Sequence, residues 1–227
     1  MIISVKKKLI SVTIFSIIAF IATFVYAKNE VSSSKLNYKN FGIIVSGPSG
    51  VGKTTIVENV AKQHPELSIS VSATTRKRRK GEVDGKSYYF IDTAQFQKLA
   101  QNNEFIEYAE NYGNYYGSPK RNYHEAIKNN QDAVFVLSVE GAQNATKNTN
   151  MDFVTIFIAA PSDDVLLKRL TNRKTETQEQ IKKRFEKVKR EMTYAEKYDY
   201  VIYNYDLEKT TKNFEAIYSA EKLKRLK

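Results

Sequence analysis

Phe41-Gly42-Ile43-Ile44-Val45-Ser46-Gly47-Pro48-Ser49-Gly50-Val51-Gly52-Lys53-Thr54-Thr55 is the stretch on which the fold turns. An apolar run of strand length enters a glycine-bearing loop, and a helical pattern over Lys53–Lys62 follows it. Gly47 to Thr54 satisfies G-x-x-x-x-G-K-[ST] at every fixed position. Glycines at these points let the backbone turn tightly, so that several N–H groups face inward. The helix that follows adds its positive N-terminus. Such a cradle suits the phosphates of a nucleoside triphosphate. The expected ATP contacts are Gly47, Pro48, Ser49, Gly50, Val51, Gly52, Lys53, Thr54 and Thr55. Lys53 would reach the β- and γ-phosphates, and the Thr54 hydroxyl would ligate Mg²⁺. The loop does not choose a reaction, because switches, motors and small-molecule kinases all use it.

Outward from the loop, apolar runs of strand length recur at Ala133–Ser138, Phe153–Ala159 and Tyr200–Tyr203. Helical patterns fall at Pro119–Asn129, Asp163–Asn172, Glu176–Lys197 and Asp206–Lys224. Ser118-Pro119 reads as an N-cap followed by a first-turn proline. Strands that alternate with helices predict an α/β fold, a parallel sheet covered on both faces. Between Ser68 and Tyr116 the pattern changes to short aromatic and polar segments, Ser87–Ile91 and Glu104–Ala109 among them. That stretch predicts an inserted lobe with a small sheet of its own.

The 227 residues carry a formal charge of +11, which falls to +8 once Lys6, Lys7 and Lys8 are set aside. The basic residues are spread along the chain, and no aromatic-interleaved recognition motif accompanies them, so no nucleic-acid partner is expected. A lysine-rich surface around a site for a polyanionic small molecule accounts for the charge. There is no cysteine, which excludes disulfides and thiolate metal sites. His64 and His124 are too few and too far apart for a metal cluster, and both read as surface helix residues.

Residues 1–27 stand apart. Lys6 to Lys8 precede an uncharged run from Leu9 to Ala27 that ends in Val25-Tyr26-Ala27. This is the layout of a secretory signal, and its length also suits a membrane anchor, so possible membrane contact through residues 9–27 is expected. Residues 28–40 are polar and read as a linker.

Downstream motifs select among the phosphate-loop proteins. Ser72-Ala73-Thr74-Thr75-Arg76, then Arg79, Gly81-Glu82, Gly85 and Tyr88, resembles the signature block of the guanylate kinase family. Asn103-Glu104-Phe105-Ile106-Glu107-Tyr108 and Gly113-Asn114-Tyr115-Tyr116-Gly117-Ser118 resemble its next two elements. Arg169-Leu170, Arg173 and Arg184 look like its mobile lid; Tyr198-Asp199-Tyr200-Val201-Ile202 and Asn204 look like its closing strand. The resemblance runs from residue 41 to the C-terminus. It implies a three-layer P-loop NTPase fold with a GMP-binding lobe at about 72–118 and a helical lid at about 169–190. It implies transfer of the γ-phosphoryl of ATP to GMP or dGMP with Mg²⁺, in a monomer or homodimer. The family default is cytoplasmic, whereas residues 1–27 suggest export or tethering.

The residue chemistry agrees with that resemblance. Arg76 and Arg79, three apart on a loop, can converge on one phosphate dianion, and Tyr88 and Tyr116 can add hydroxyl donors. Guanine presents N1–H and N2–H₂ donors, which want a carboxylate; Glu107 supplies it, with Ser72 and Ser118 beside it. The resemblance makes Lys53, Arg76, Arg173 and Arg184 catalytic, and adds Arg173 and Asn204 to the ATP contacts. The pattern breaks before Gly141-Ala142-Gln143, where Val136 and Ser138 stand in place of aspartates. If the strand continues, Glu140 shares its face and is the candidate substitute carboxylate for the metal. Lys174 stands for a lid glycine and Tyr205 for an aspartate after Asn204. These departures leave a catalytically weak or inactive nucleotide-binding module as the alternative.

Overall fold

The computed structural model describes residues 37–111, 113–148, 151–162, 165 and 178–227. The helix expected at Asp163–Asn172 falls outside the described residues except at Val165, and the turn Lys174 to Thr177 falls outside them too. The leader or anchor expected in residues 1–27 is also outside. Among the described residues, no helix is long and apolar enough to cross a membrane.

Two compact units divide the chain, one of them Lys39–Arg225. In the other, Met1–Tyr38 with Leu226–Lys227, Tyr38 bridges antiparallel to Leu226. The larger unit begins β1 (Gly42–Ser46), α1 (Lys53–Gln63), β2 (Leu67–Ile69), β3 (Ala73–Thr74), β4 (Tyr89–Phe90) and α2 (Thr93–Gln101). It continues β5 (Phe105–Asn111), β6 (Asn114–Pro119), α3 (Lys120–Lys128), β7 (Asp132–Val136) and α4 (Val139–Asn148). It ends β8 (Phe153–Ala159), α5 (Gln178–Met192), β9 (Tyr200–Tyr203) and α6 (Leu207–Lys224).

The main sheet has the order β2-β7-β1-β8-β9. All four of its pairings are parallel. Because helices cover both faces, β1 is buried at all five positions, and its sequence is apolar from Gly42 to Val45 instead of alternating. Ile44, Phe135 and Phe157 point to one side, into a cluster with Ile106, Ala142, Ala145 and Tyr198. On the other side α1 packs on the sheet and on α6, burying Ile56, Val57 and Val60. Each fully buried Phe or Ile in these layers contributes about 1.5–3 kcal/mol relative to exposure.

A buried carboxylate ties the ends of the unit together. Asp132, at the start of β7 and fully buried, accepts from Phe41 N (3.0 Å), Asn40 Nδ2 (3.2 Å) and Tyr218 Oη (2.7 Å).

The lobe between β2 and α3 is a second sheet, β4-β3-β6-β5, with an antiparallel hairpin of β5 and β6. Its small core joins Ala73, Phe96 and Phe105, with Phe96 stacked on both Phe105 (4.6 Å) and Tyr115 (5.3 Å). Asp92 starts α2 with a complete capping box: its carboxylate accepts from Gln95 N at 2.7 Å, and Gln95 reaches back to Asp92 N.

Three local expectations are corrected. Ser118 does not cap α3: Pro119 holds that position without a side-chain bond, because Ser118 completes β6 and turns its hydroxyl to Glu107. The strand expected to run to Ser138 stops at Val136. Ser138 instead starts α4, its Oγ accepting from Gly141 N at 3.0 Å. Glu140 therefore lies in the first helical turn and shares no strand face with Val136 and Ser138. His64 ends α1 half-buried, with Nδ1 3.3 Å from Glu66, whereas His124 is on α3 as read.

Candidate active site

The phosphate loop joins β1 to α1. Gly47 has φ 136°, and a Cβ there would sit 2.2 Å from the Ile158 carbonyl oxygen on β8, so no other residue fits without moving that strand. Gly52 is left-handed (φ 94°) and starts α1. Lys53 folds back over the loop, its Nζ donating to Gly47 O (2.6 Å) and Pro48 O (2.9 Å). Burial lowers the Lys53 pKa to about 8, against the opposing attraction of Glu191. Thr54 and Thr55 are exposed at the first turn of the helix, and Ser49 is exposed at the loop tip.

Asn204 supports this loop from the end of β9. Its Nδ2 donates to Val51 O at 2.8 Å, its Oδ1 accepts from Thr210 Oγ1 at 3.0 Å, and its N–H donates to Ala159 O. The residue is 6% exposed, so the structure gives it a backbone to hold.

The inserted lobe and the C-terminal end of β7 enclose a second pocket. Ser72, Tyr88, Glu107, Tyr116, Ser138 and Glu140 line it, and Lys187 of α5 borders it. Glu107 accepts from Ser118 Oγ at 3.1 Å. Its pKa is raised to about 7, chiefly by burial, with the Ser118 bond opposing and the nearby Glu140 charge adding. Gly141 makes the room: a Cβ there would meet Glu107 Oε2 at 2.6 Å and Cδ at 2.9 Å. Tyr88 and Tyr116 meet edge to face at 6.1 Å. Burial raises the Tyr88 pKa, which keeps it a hydroxyl donor.

Arg76 sits at the same end, its guanidinium 5.5 Å from the Tyr88 ring centre. It is already paired. Nη1 and Nη2 both donate to the Glu82 carboxylate, at 3.1 and 2.7 Å, and Nη1 also donates to Lys77 O at 2.7 Å. Arg79 is exposed, and its backbone N–H donates to the same carboxylate at 2.8 Å.

The structure thus brings together Ser72, Arg76, Tyr88, Glu107, Tyr116 and Ser118 on the lobe, and the Gly47–Thr55 loop on the main sheet. Arg169 and Arg173 lie outside the described residues, and Arg184 is placed only as a position on α5. Sequence reasoning did not single out Lys187, Glu191, Gly141 or Glu82's pairing with Arg76. The first two were detectable as a pair four apart on a helix, 4.0 Å from each other, one bordering the second pocket and one acting on Lys53. Among the described residues, no group of three or more His, Asp or Glu side chains is arranged to hold a metal ion.

Comparison with known proteins agrees with this geometry. The guanylate kinase family model matches residues 39–221. A guanylate kinase of Carboxydothermus hydrogenoformans is 45% identical over 187 residues, covering 82% of this chain and 91% of the relative. That of Rickettsia typhi is 41% identical over 190 residues, covering 84% and 96%. The crystal structure of guanylate kinase from Anaplasma phagocytophilum superposes with a TM-score of 0.67 at 33% identity, covering 83% of this chain and 89% of that one. The chain belongs to the guanylate kinase family and is a nucleoside monophosphate kinase of the P-loop α/β fold.

Proposed function

We propose that this protein transfers the γ-phosphoryl of ATP to GMP or dGMP, giving ADP and GDP or dGDP. The observation that carries the acceptor is Glu107: a half-buried carboxylate, held by Ser118, faces a pocket with Arg76 and two tyrosine hydroxyls at its margin. A carboxylate in that setting matches the N1–H and N2–H₂ donors of guanine, and the cationic end matches its 5′-phosphate.

Lys53 leaves the carbonyls of Gly47 and Pro48 to bind the β- and γ-phosphates, exchanging neutral acceptors for charged ones. Asn204 keeps the loop's backbone in place during that exchange; its expected direct contact with ATP is secondary to this support. Mg²⁺ bound with ATP would neutralise phosphate charge. The Thr54 hydroxyl, exposed at the first turn of α1, fits it, since this ion keeps several waters and takes few protein ligands. Glu140 is assigned to the acceptor pocket instead of the metal, because it lines that pocket beside Glu107. The acceptor phosphate oxygen is already a nucleophile, so the site needs no strong base. Positioning and cationic stabilisation from Lys53, Arg76, Arg173 and Arg184 suffice.

An inactive binding module is the poorer reading. The loop keeps at Gly47 a conformation that only glycine fits, and a half-buried lysine placed for phosphate binding, and Ser138 in place of an aspartate retains a job as the cap of α4. The test is ADP release coupled to a reporter, with GMP, AMP, CMP, UMP or no acceptor. GMP should stimulate release by orders of magnitude. Release at the no-acceptor rate with every nucleotide overturns the enzyme reading, and preference for another monophosphate overturns the guanine assignment.

A further inference from the structure

Arginine offers two forks. The end-on fork is formed by Nη1 and Nη2, and the side-on fork by Nε and the outer hydrogen of Nη2. In this protein the end-on fork of Arg76 is taken by both oxygens of Glu82, and the outer hydrogen of Nη1 is taken by Lys77 O. The pair is well covered, with 13% and 21% of the two side chains exposed. Among the described residues, the side-on edge remains for a ligand, beside the Tyr116 hydroxyl with which the Arg76 side chain also interacts.

The same carboxylate closes the loop that carries both expected phosphate-binding arginines. Glu82 Oε2 accepts from Arg79 N at 2.8 Å, and Arg79 O accepts from Glu82 N at 3.2 Å. On the other side of Arg76, its N–H donates to Thr74 Oγ1, and that hydroxyl donates to Tyr115 O on the hairpin. The guanidinium lies near the rings of Tyr88 (5.5 Å) and Phe90 (5.8 Å). The guanidinium contacts restrict a long side chain that would otherwise sample many rotamers, at an entropic cost of up to about 2 kcal/mol when it is finally fixed, and the backbone bonds fix the loop that carries it.

We infer that Glu82 is a positioning residue for acceptor binding: it occupies the end-on fork of Arg76, thereby holding the side-on fork toward Tyr88 and Tyr116 for the acceptor phosphate. This rests on the assignment of a phosphorylated acceptor to that pocket. Glu82 itself never touches the acceptor. It places one negative charge beside a site for a dianion, so its value to binding lies in the order it imposes on Arg76, which outweighs the repulsion.

The experiment compares native protein, E82Q, R76K and the double variant E82Q/R76K. Binding of GMP and of a non-hydrolysable ATP analogue is measured by calorimetry, and KM and kcat are taken from the coupled assay. E82Q keeps the size of the side chain and one acceptor oxygen but breaks the two-oxygen clamp. The expected result is a rise of about tenfold in Kd and KM for GMP, with kcat and the ATP-analogue affinity within about twofold of native. In the R76K background, where no fork exists to be oriented, E82Q should change GMP affinity by less than about twofold. If E82Q does not fold, E82D supplies the comparison, since it keeps the charge but is one methylene too short to span both partners.

Unchanged or tighter GMP binding in E82Q overturns the inference, because Glu82 would then be a bystander or a competitor of the phosphate. An equal loss for GMP and the ATP analogue, with a fall in thermal midpoint, overturns it too, since the role would be structural. A native protein that neither binds nor phosphorylates GMP defeats the acceptor assignment itself, and that result is read before any variant is compared.

Discussion

Replacing Glu107 with glutamine tests the guanine assignment most directly. In the native protein a half-buried carboxylate accepts from Ser118 and keeps its remaining lone pairs for a ligand. Hydrogen bonds to a charged partner contribute about 1.5–3 kcal/mol each. The amide of Glu107→Gln would retain one acceptor oxygen, and its NH₂ would face a guanine N–H, donor against donor. A loss of about 3 kcal/mol follows, or roughly 150-fold in GMP affinity and in kcat/KM. The sign of the pH effect is opposite for binding and for stability. Burial raises the Glu107 pKa from 4.5 to about 7, so stability from the protonated form is complete below 4.5 and is lost as pH rises through 7. That cost is of the order of 3 kcal/mol. The ionised form is the one guanine requires, so GMP affinity should fall as pH drops from about 8 to about 6, by about tenfold at the lower end. The GMP phosphate also gains a proton near pH ~6, so the native-minus-variant difference isolates Glu107. E107Q should bind GMP weakly at every pH and melt higher than native at mildly alkaline pH without ligand. Calorimetric titration of GMP across that pH range, with thermal melts, measures both. A variant within about threefold of native for GMP, or an identical pH slope in the two proteins, refutes the reasoning.

Other outcomes follow from the same geometry. Gly141→Ala places a methyl 2.6 Å from Glu107 Oε2 and should raise KM for GMP at least about tenfold while leaving KM for ATP within about twofold, read in the coupled assay. Asn204→Ala removes the bond to Val51 O and one of the two acceptors within reach of Thr210, at a cost of about 1–3 kcal/mol. It should lower the thermal midpoint and weaken ATP-analogue binding more than GMP binding. Because burial brings Lys53 to a pKa of about 8, ATP-analogue affinity should decline as pH rises above that value in native protein and show no such decline in Lys53→Met, followed by fluorescence titration.

The framework is readable in the sequence because its determinants are local. The apolar runs at Gly42–Ser46, Phe153–Ala159 and Tyr200–Tyr203 are strands, and the loop between the first of them and α1 obeys a fixed spacing. Glu107, Tyr88, Tyr116 and Arg76 are identifiable through motif order and do gather around one pocket or its margin. Helix α2 escapes that reading although Asp92 and Gln95 announce its start, because the short aromatic segments around it hide a nine-residue helix. Helix α4 escapes it for a different reason: the apolar run Val134–Val139 continues through the strand end, and nothing local says that Ser138 will bond Gly141 N. Ser118 looks like a cap because Ser-Pro has that chemistry in isolation, whereas its actual partner, Glu107, is eleven residues away. The Arg76–Glu82 clamp depends on loop closure, which spacing alone does not specify.

The clasp at Asp132 has a consequence for biosynthesis. Its partners at residues 40 and 41 are made early, whereas Tyr218 is made long after them. Until that tyrosine is present, closing the sheet would leave this buried carboxylate without one of its donors, at a cost of about 1.5–3 kcal/mol. The closed sheet is therefore held less firmly until the last helix is complete. A chain ending before residue 218 would carry nearly every residue of its nucleotide sites on a less stable sheet.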